Sequence, residues 1–171
     1  MICNIKTISM ILKEENDRMY LAYLVCVKHM QRMQFAYTKI QHLFPMNTKS
    51  FELLPDEMLS FFDQFIFRFT KLQDAMGTKL FRFALESLAE NSRDLPLIDM
   101  LARAEQIGLL SSADDWMLLR NIRNELTHEY PFDSEELVEA LNQLHSNYQL
   151  LISVWEFTEV FLKSRFAYLF R

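Results

Sequence analysis

Glycine is nearly absent from this chain, with 2 among 171 residues, and there are only 4 prolines. Tight turns and hairpins need Gly, Asn or Asp at set positions, so the scarcity argues for long helices joined by few loops. Cysteine is equally sparse: Cys3 and Cys26 both lie in the N-terminal stretch, with no metal-type spacing between them. That argues against a disulfide framework, and reduced thiols fit a cytoplasmic protein. The opening MICNIKTISMILKEEND has neither a long apolar core nor a small-residue cleavage site, so it does not read as a secretion signal. No run of about 18 or more apolar residues occurs, and no transmembrane helix or membrane association is expected. Positive charge is also short. The formal net charge of −5 and pI near 5.4 argue against a broad nucleic-acid coat, while leaving room for a small basic cleft on an acidic body.

What is present is apolar bulk. Half of the residues are hydrophobic, including 15 Phe and 10 Met, enough for one domain with a sizeable core. The reading is a single domain over 1–171, with 1–12 as a flexible leader. A first helix is expected from about Lys13 to Leu43, with Met19, Tyr20, Tyr23, Leu24, Val27, Met30 and Met33 at three- and four-residue steps. PMNTKS after it reads as a loop. A second helix starts near Pro55 and carries Met58, Leu59, Phe62, Phe65, Ile66 and Phe69, with Gly77 set to kink or break it. Helical pattern resumes through Leu80 to Leu88. LPLIDMLARAEQIG is a shorter helix that Gly108 closes as a C-cap. Ser112, Asp114 and Asp115 open the next helix, and Pro131 ends it. Asp133 or Ser134 caps the last helix. No segment alternates with period two, so the fold class is all-α, a bundle of five or six helices.

Leu137, Leu141, Leu144, Tyr148, Leu151, Trp155, Thr158 and Leu162 run along the last helix at heptad spacing. Core packing within one chain is the favoured account of this stripe, and self-association through the helix is the rival. The aromatic run SFFDQFIFRF is open in the same way, between deep burial and a partner surface.

One stretch breaks the core pattern: RNIRNELTHEYPFD, residues 120 to 133. On a helical wheel Leu118, Leu119, Ile122 and Leu126 form its apolar stripe. Arg123, Thr127 and Tyr130 line one shoulder, and Asn124 and His128 form the neighbouring row. Arg123 and His128 then border one shallow polar surface. His128 falls in the last turn, where the negative end of the helix dipole favours imidazolium. Such a pair suits phosphodiester chemistry. RNA carries its own nucleophile, the 2′-hydroxyl, so cleavage needs proton transfer, which His performs. It also needs lasting positive charge at the phosphate, which the planar guanidinium supplies. His29, His42, His128 and His145 form no metal motif. The spacing alone is equally met by a helix-end histidine beside a solvated arginine.

The extended pattern is more specific. RNELTHEY resembles the R-N-x3-H core and R-x4-H-x-Y signature of HEPN-domain ribonucleases, and is most similar to the HepT-type toxins of HEPN–MNT toxin–antitoxin pairs. The upstream FRFTKLQDAMGTKLF looks like the helix such proteins carry ahead of the motif. The resemblance implies a compact all-α HEPN-like bundle that works as a homodimer, with two motifs facing across a cleft. It implies a metal-independent endoribonuclease needing no cofactor, with RNA as substrate and Arg123 and His128 as the catalytic pair. Asn124 would orient the His or touch phosphate, and Arg120 would join the positive pocket. Tyr130 maps onto the tyrosine that a partner MNT-type nucleotidyltransferase, the antitoxin, modifies with AMP to silence the toxin. The leader, and the length of the Pro45–Pro55 loop, depart from the smallest members. The competing class is a non-catalytic HEPN-like binding module that associates with a nucleotidyltransferase. A helical adaptor without enzymology is a third.

Overall fold

The computed structural model describes residues 5–88, 90, 94–127 and 134–170, and no strand occurs among them. Helix α1 (Ile5–Ile40) begins well before the expected Lys13 and tightens into a 3-10 turn at Gln41–Leu43. The stretch read as a loop holds a short helix, α2 (Thr48–Glu52). A reciprocal cap makes it: Ser50 N–H donates to Asn47 Oδ1 at 3.0 Å, and Asn47 N–H donates to Ser50 Oγ at 3.2 Å. Met46 is clamped beside it, exchanging two 2.9 Å hydrogen bonds with the Asn142 amide.

Helix α3 (Asp56–Ala75) enters at Pro55. Gly77 does not break it. Met76–Leu80 winds as a wider π turn, and the chain continues into α4 (Phe81–Ser87). Helix α5 (Leu97–Gln106) closes on Gly108, as its position predicts. Gly108 takes φ 78°, its N–H donates to Glu105 O at 2.9 Å, and Leu109 N–H reaches back to Ala104 O at 2.9 Å. Helix α6 (Ala113–Thr127) is capped by Ser112, whose Oγ accepts from Asp115 N–H at 3.1 Å.

The single last helix expected from the heptad stripe is two helices, α7 (Ser134–Ser146) and α8 (Tyr148–Arg165). Asn147 breaks it. Its side-chain Nδ2 donates to Gln143 O at 3.0 Å alongside its own main-chain N–H, so a local amide competes with the helical ladder. A 3-10 turn at Ala167–Leu169 follows. With α3 and α4 counted as one rod, seven helices lie among the described residues, against five or six expected.

The centre of the core lies between α1 and α3, where Met19, Cys26, Met30 and Met33 are buried with Phe62, Phe65, Phe69 and Leu72. Burial pushes the Cys26 thiol up to about 12, so it packs as an inert apolar group. Leu141, Leu144, Tyr148, Leu151, Trp155, Thr158 and Leu162 are buried within this one chain, and Leu137 is half-buried. Core packing thus consumes the heptad stripe. The aromatic run divides instead: Phe62, Phe65, Ile66 and Phe69 go inward, and Phe67 stands 50 % exposed. No described helix is long and apolar enough to cross a membrane.

Candidate functional site

The buried stripe of α6 is Trp116, Leu119, Ile122 and Leu126. Leu118, expected in that stripe, is 44 % exposed. It lies about 200° round the helix from Trp116, and the indole decides which face turns inward. Trp116 meets the Phe81 ring edge-on at 4.9 Å and lies against Gly77, where a Cβ would stand 3.1 Å from Trp116 Cζ2. The glycine therefore permits a close approach of two helices. Inserting one wider turn at this point is the kind of irregularity that re-aims neighbouring side chains.

Arg123 follows Trp116 by seven residues, two turns later on the same side of α6. It reaches the end of α3. Arg123 Nη2 donates to Asp74 Oδ1 at 2.6 Å, and Nη1 donates to Asn124 Oδ1 at 3.1 Å. As α6 advances from Trp116 to Arg123, its contacts on the other rod step back from Gly77 to Asp74. Lys71 Nζ stands 4.0 Å from Asp74 Oδ2, which puts a second cation beside the same carboxylate. The Arg123 and Asp74 side chains are 24 % and 37 % exposed. The pair is therefore partly at the surface, on a helix anchored by buried Trp116 and Leu126.

The expected site residues are placed unequally. Arg123 and Asn124, assigned to neighbouring rows of the wheel, are tied together by the guanidinium. Asn124 Oδ1 accepts from Arg123, and the part expected of Asn124 beside His128 falls outside the described residues. Arg120 is half-buried one turn ahead on α6 and makes no hydrogen bond or ion pair among the described residues. His128 and Tyr130 lie outside the described residues, as do Pro131 and Asp133, which were expected to end α6 and begin the next helix.

Asp74 is the member of the cluster that the sequence pattern does not announce. It sits inside FRFTKLQDAMGTKLF, yet its partner is 49 positions away. An acid at the end of a helix otherwise reads as a solvated charge. Chemically, the cluster presents a permanent cation oriented by the oxygens of Asp74 and Asn124 among its partners, with part of its side chain at the surface. Among the described residues no three His, Cys, Asp or Glu side chains gather as metal ligands would. Comparison of the chain with protein-family models, curated proteins and solved structures finds no match.

Proposed function

We propose that this chain is a metal-independent endoribonuclease, the toxin of a HEPN–MNT-type pair, acting as a homodimer. The observation that carries the reading is the oriented guanidinium of Arg123, fixed by Asp74 and Asn124 at the head of RNELTHEY. In this reading Arg123, with Arg120 nearby, binds the non-bridging oxygens of an RNA phosphate and stabilises the charge that builds on them. His128 takes the proton from the 2′-hydroxyl. The 2′-oxygen attacks phosphorus, the bond to the 5′-oxygen breaks, and that oxygen takes a proton from a protonated imidazole, the His128 of the facing motif. The products are a 2′,3′-cyclic phosphate and a 5′-hydroxyl. Pairing two motifs across one cleft doubles the local positive charge, which an acidic chain needs to hold RNA.

The test is purified protein with mixed cellular RNA in EDTA, beside Arg123→Ala and His128→Ala. Cleavage should persist in EDTA, leave cyclic phosphate ends, and fall at least about 100-fold in each variant. Activity that vanishes with EDTA and returns with Mg²⁺ would sink the mechanism. The regulatory arm assigns Tyr130 as the AMP acceptor for the partner nucleotidyltransferase, since a phosphodiester added there competes with RNA for Arg123. Intact mass after co-expression should show AMP on the wild-type chain and none on Tyr130→Phe. Equal incorporation in both would remove Tyr130 from that role.

A second reading draws on the same ion pair. If holding α3 to α6 is all that Arg123 does, the chain is a non-catalytic HEPN-like module that associates with a nucleotidyltransferase. Wild-type protein that leaves RNA intact, while Arg123→Ala loses stability, would favour this reading.

A further inference from the structure

A second cationic feature lies apart from Arg123, on the outer face of α1 and α3. It is an open groove of about 660 Å³ lined by Arg32, Phe35, Asp63, Gln64, Phe67 and Arg68. Gln64 Nε2 donates to the main-chain oxygen of Arg32 at 3.1 Å and pins the two helices together beneath it. Phe35 and Phe67 are 52 % and 50 % exposed, which is high for residues that could have been buried in a Phe-rich core. Each ring carries cations: Lys39 Nζ lies 5.3 Å from the Phe35 centroid, while Arg68 and Lys71 lie 5.1 and 5.8 Å from that of Phe67.

The arginines are charged groups without counter-ions. Neither Arg32 nor Arg68 meets a carboxylate within ion-pair distance among the described residues, and Asp63, on the same rim, pairs with neither. Arg68 instead donates through Nη1 to His29 Nδ1 at 3.3 Å, a neutral partner, and its Nε is buried with no acceptor among the described residues. Burial first, and then the neighbouring charge of Arg32, lower the pKa of the Arg68 guanidinium. On a chain of net charge −5, an uncompensated cluster of this kind is an exception that an anion would relieve.

We propose that this groove binds single-stranded RNA, with phosphates on Arg32 and Arg68 and bases stacked on Phe67 and Phe35. Single-stranded nucleic acid is the ligand that offers anions and flat π-faces in alternation. The groove shares helix α3 with the candidate site. Arg68, Lys71 and Asp74 succeed one another at three-residue steps along α3, about 9 Å in all, and Asp74 holds Arg123. In this proposal the groove holds the strand on the same helix that orients Arg123. Naming RNA as its occupant rests on the nuclease reading; the unpaired arginines and exposed rings do not.

The test uses a fluorescein-labelled oligouridine with 2′-O-methyl groups, which removes the nucleophile so that binding is read without cleavage. Anisotropy is followed between about 50 and about 200 mM salt. Arg32→Gln/Arg68→Gln should weaken binding at least tenfold and lower the salt slope by about 1.4, for two phosphates at about 0.7 each. Phe67→Ala should weaken it about tenfold. Arg32→Gln alone alters an exposed side chain, so its loss of affinity cannot be laid to misfolding. Unchanged affinity in all three variants overturns the proposal. So does equal competition by polyglutamate, which would mark a site for acidic protein. A shift to monomer by light scattering with RNA affinity intact would mark an interface between copies, and also overturns it. The two readings fail separately. Loss of oligouridine binding in the groove variants, with no RNA cleavage by wild type, removes the nuclease and keeps the groove. Arg123-dependent cleavage with binding indifferent to the groove variants does the reverse.

Discussion

Asp74 Oδ1 and Arg123 Nη2 lie 2.6 Å apart and join the end of α3 to the last turns of α6. The bond is charge-assisted, and such bonds are the strong ones. Its net worth is nevertheless modest, because both side chains are partly exposed and water screens them. Orientation is the larger effect. A free arginine carries about 2 kcal/mol of rotamer entropy, and a carboxylate behind it removes that freedom before any substrate arrives. The same carboxylate opposes an incoming phosphate, so its two influences on turnover have opposite signs.

Asp74→Asn separates them. The amide keeps the shape and loses the charge. Stability should fall by about 1 kcal/mol in urea, with a coupling of similar size to Arg123→Gln in a double-mutant cycle. RNA cleavage should fall about tenfold in kcat, equivalent to about 1.4 kcal/mol, while KM does not rise because a repelling charge has gone. Asp74→Glu should restore part of kcat. If cleavage per folded molecule is unchanged in Asp74→Asn, Asp74 is only a clasp and does not position Arg123.

Gly77→Ala tests whether the close approach at Trp116 sets the placement of α6. Replacing glycine inside a helix ordinarily gains about 1 kcal/mol. Here the new Cβ would sit 3.1 Å from an indole that is 1 % exposed and packed edge-on against Phe81. Overpacking of that kind costs about 1–3 kcal/mol and should win. The expected net loss is about 1 kcal/mol, a fall in Tm of about 2–4 °C for a chain of this size. Cleavage should fall with it, since α6 carries Arg123. Gly108→Ala is the contrast. It strains a positive φ with nothing within 4 Å, so it should lower stability and leave cleavage per folded molecule intact. A Gly77→Ala protein at least as stable as wild type would show that the indole yields freely.

The helical class was legible because glycine scarcity and three- and four-residue spacing point the same way. Gly108 and Ser112 were legible because cap chemistry is local. The departures share a cause in competition that spacing does not encode. Asn47 and Asn147 each turn a side-chain amide onto nearby backbone, one starting a helix and the other ending one. Leu118 is hydrophobic and well spaced, yet Trp116 outweighs it in choosing the buried face of α6. Of the candidate site, Arg123 and Asn124 stood out as polar residues in a core-like helix. Asp74 did not, since only the packing of α6 on α3 brings it to Arg123. The groove arginines were hidden for the same reason: Arg32 and Arg68 belong to different helices, and each alone reads as an ordinary surface charge.

Stability should also depend on pH through His29. Burial first, and then the charges of Arg68 and Lys71 on α3 and Arg32 on its own helix, lower its pKa below the ordinary 6.5. The hydrogen bond from Arg68 to Nδ1 agrees, because only a ring without a proton on that nitrogen accepts it. In the unfolded chain these influences vanish and the ring takes up its proton near 6.5. Between the lowered folded value and 6.5 the unfolded state therefore binds more protons, so stability rises with pH across that window. Acidification from about pH 7 to about pH 5 should cost the wild type stability that His29→Gln does not lose. Urea midpoints of the two proteins should accordingly shift in favour of the variant as pH falls. A difference that stays flat, or runs the other way, would show that burial and the three cations do not lower the His29 pKa. Phosphate in the groove would offset those cations and allow the ring to be protonated. Oligouridine affinity should then strengthen as pH falls through the same window, and His29→Gln should abolish that dependence.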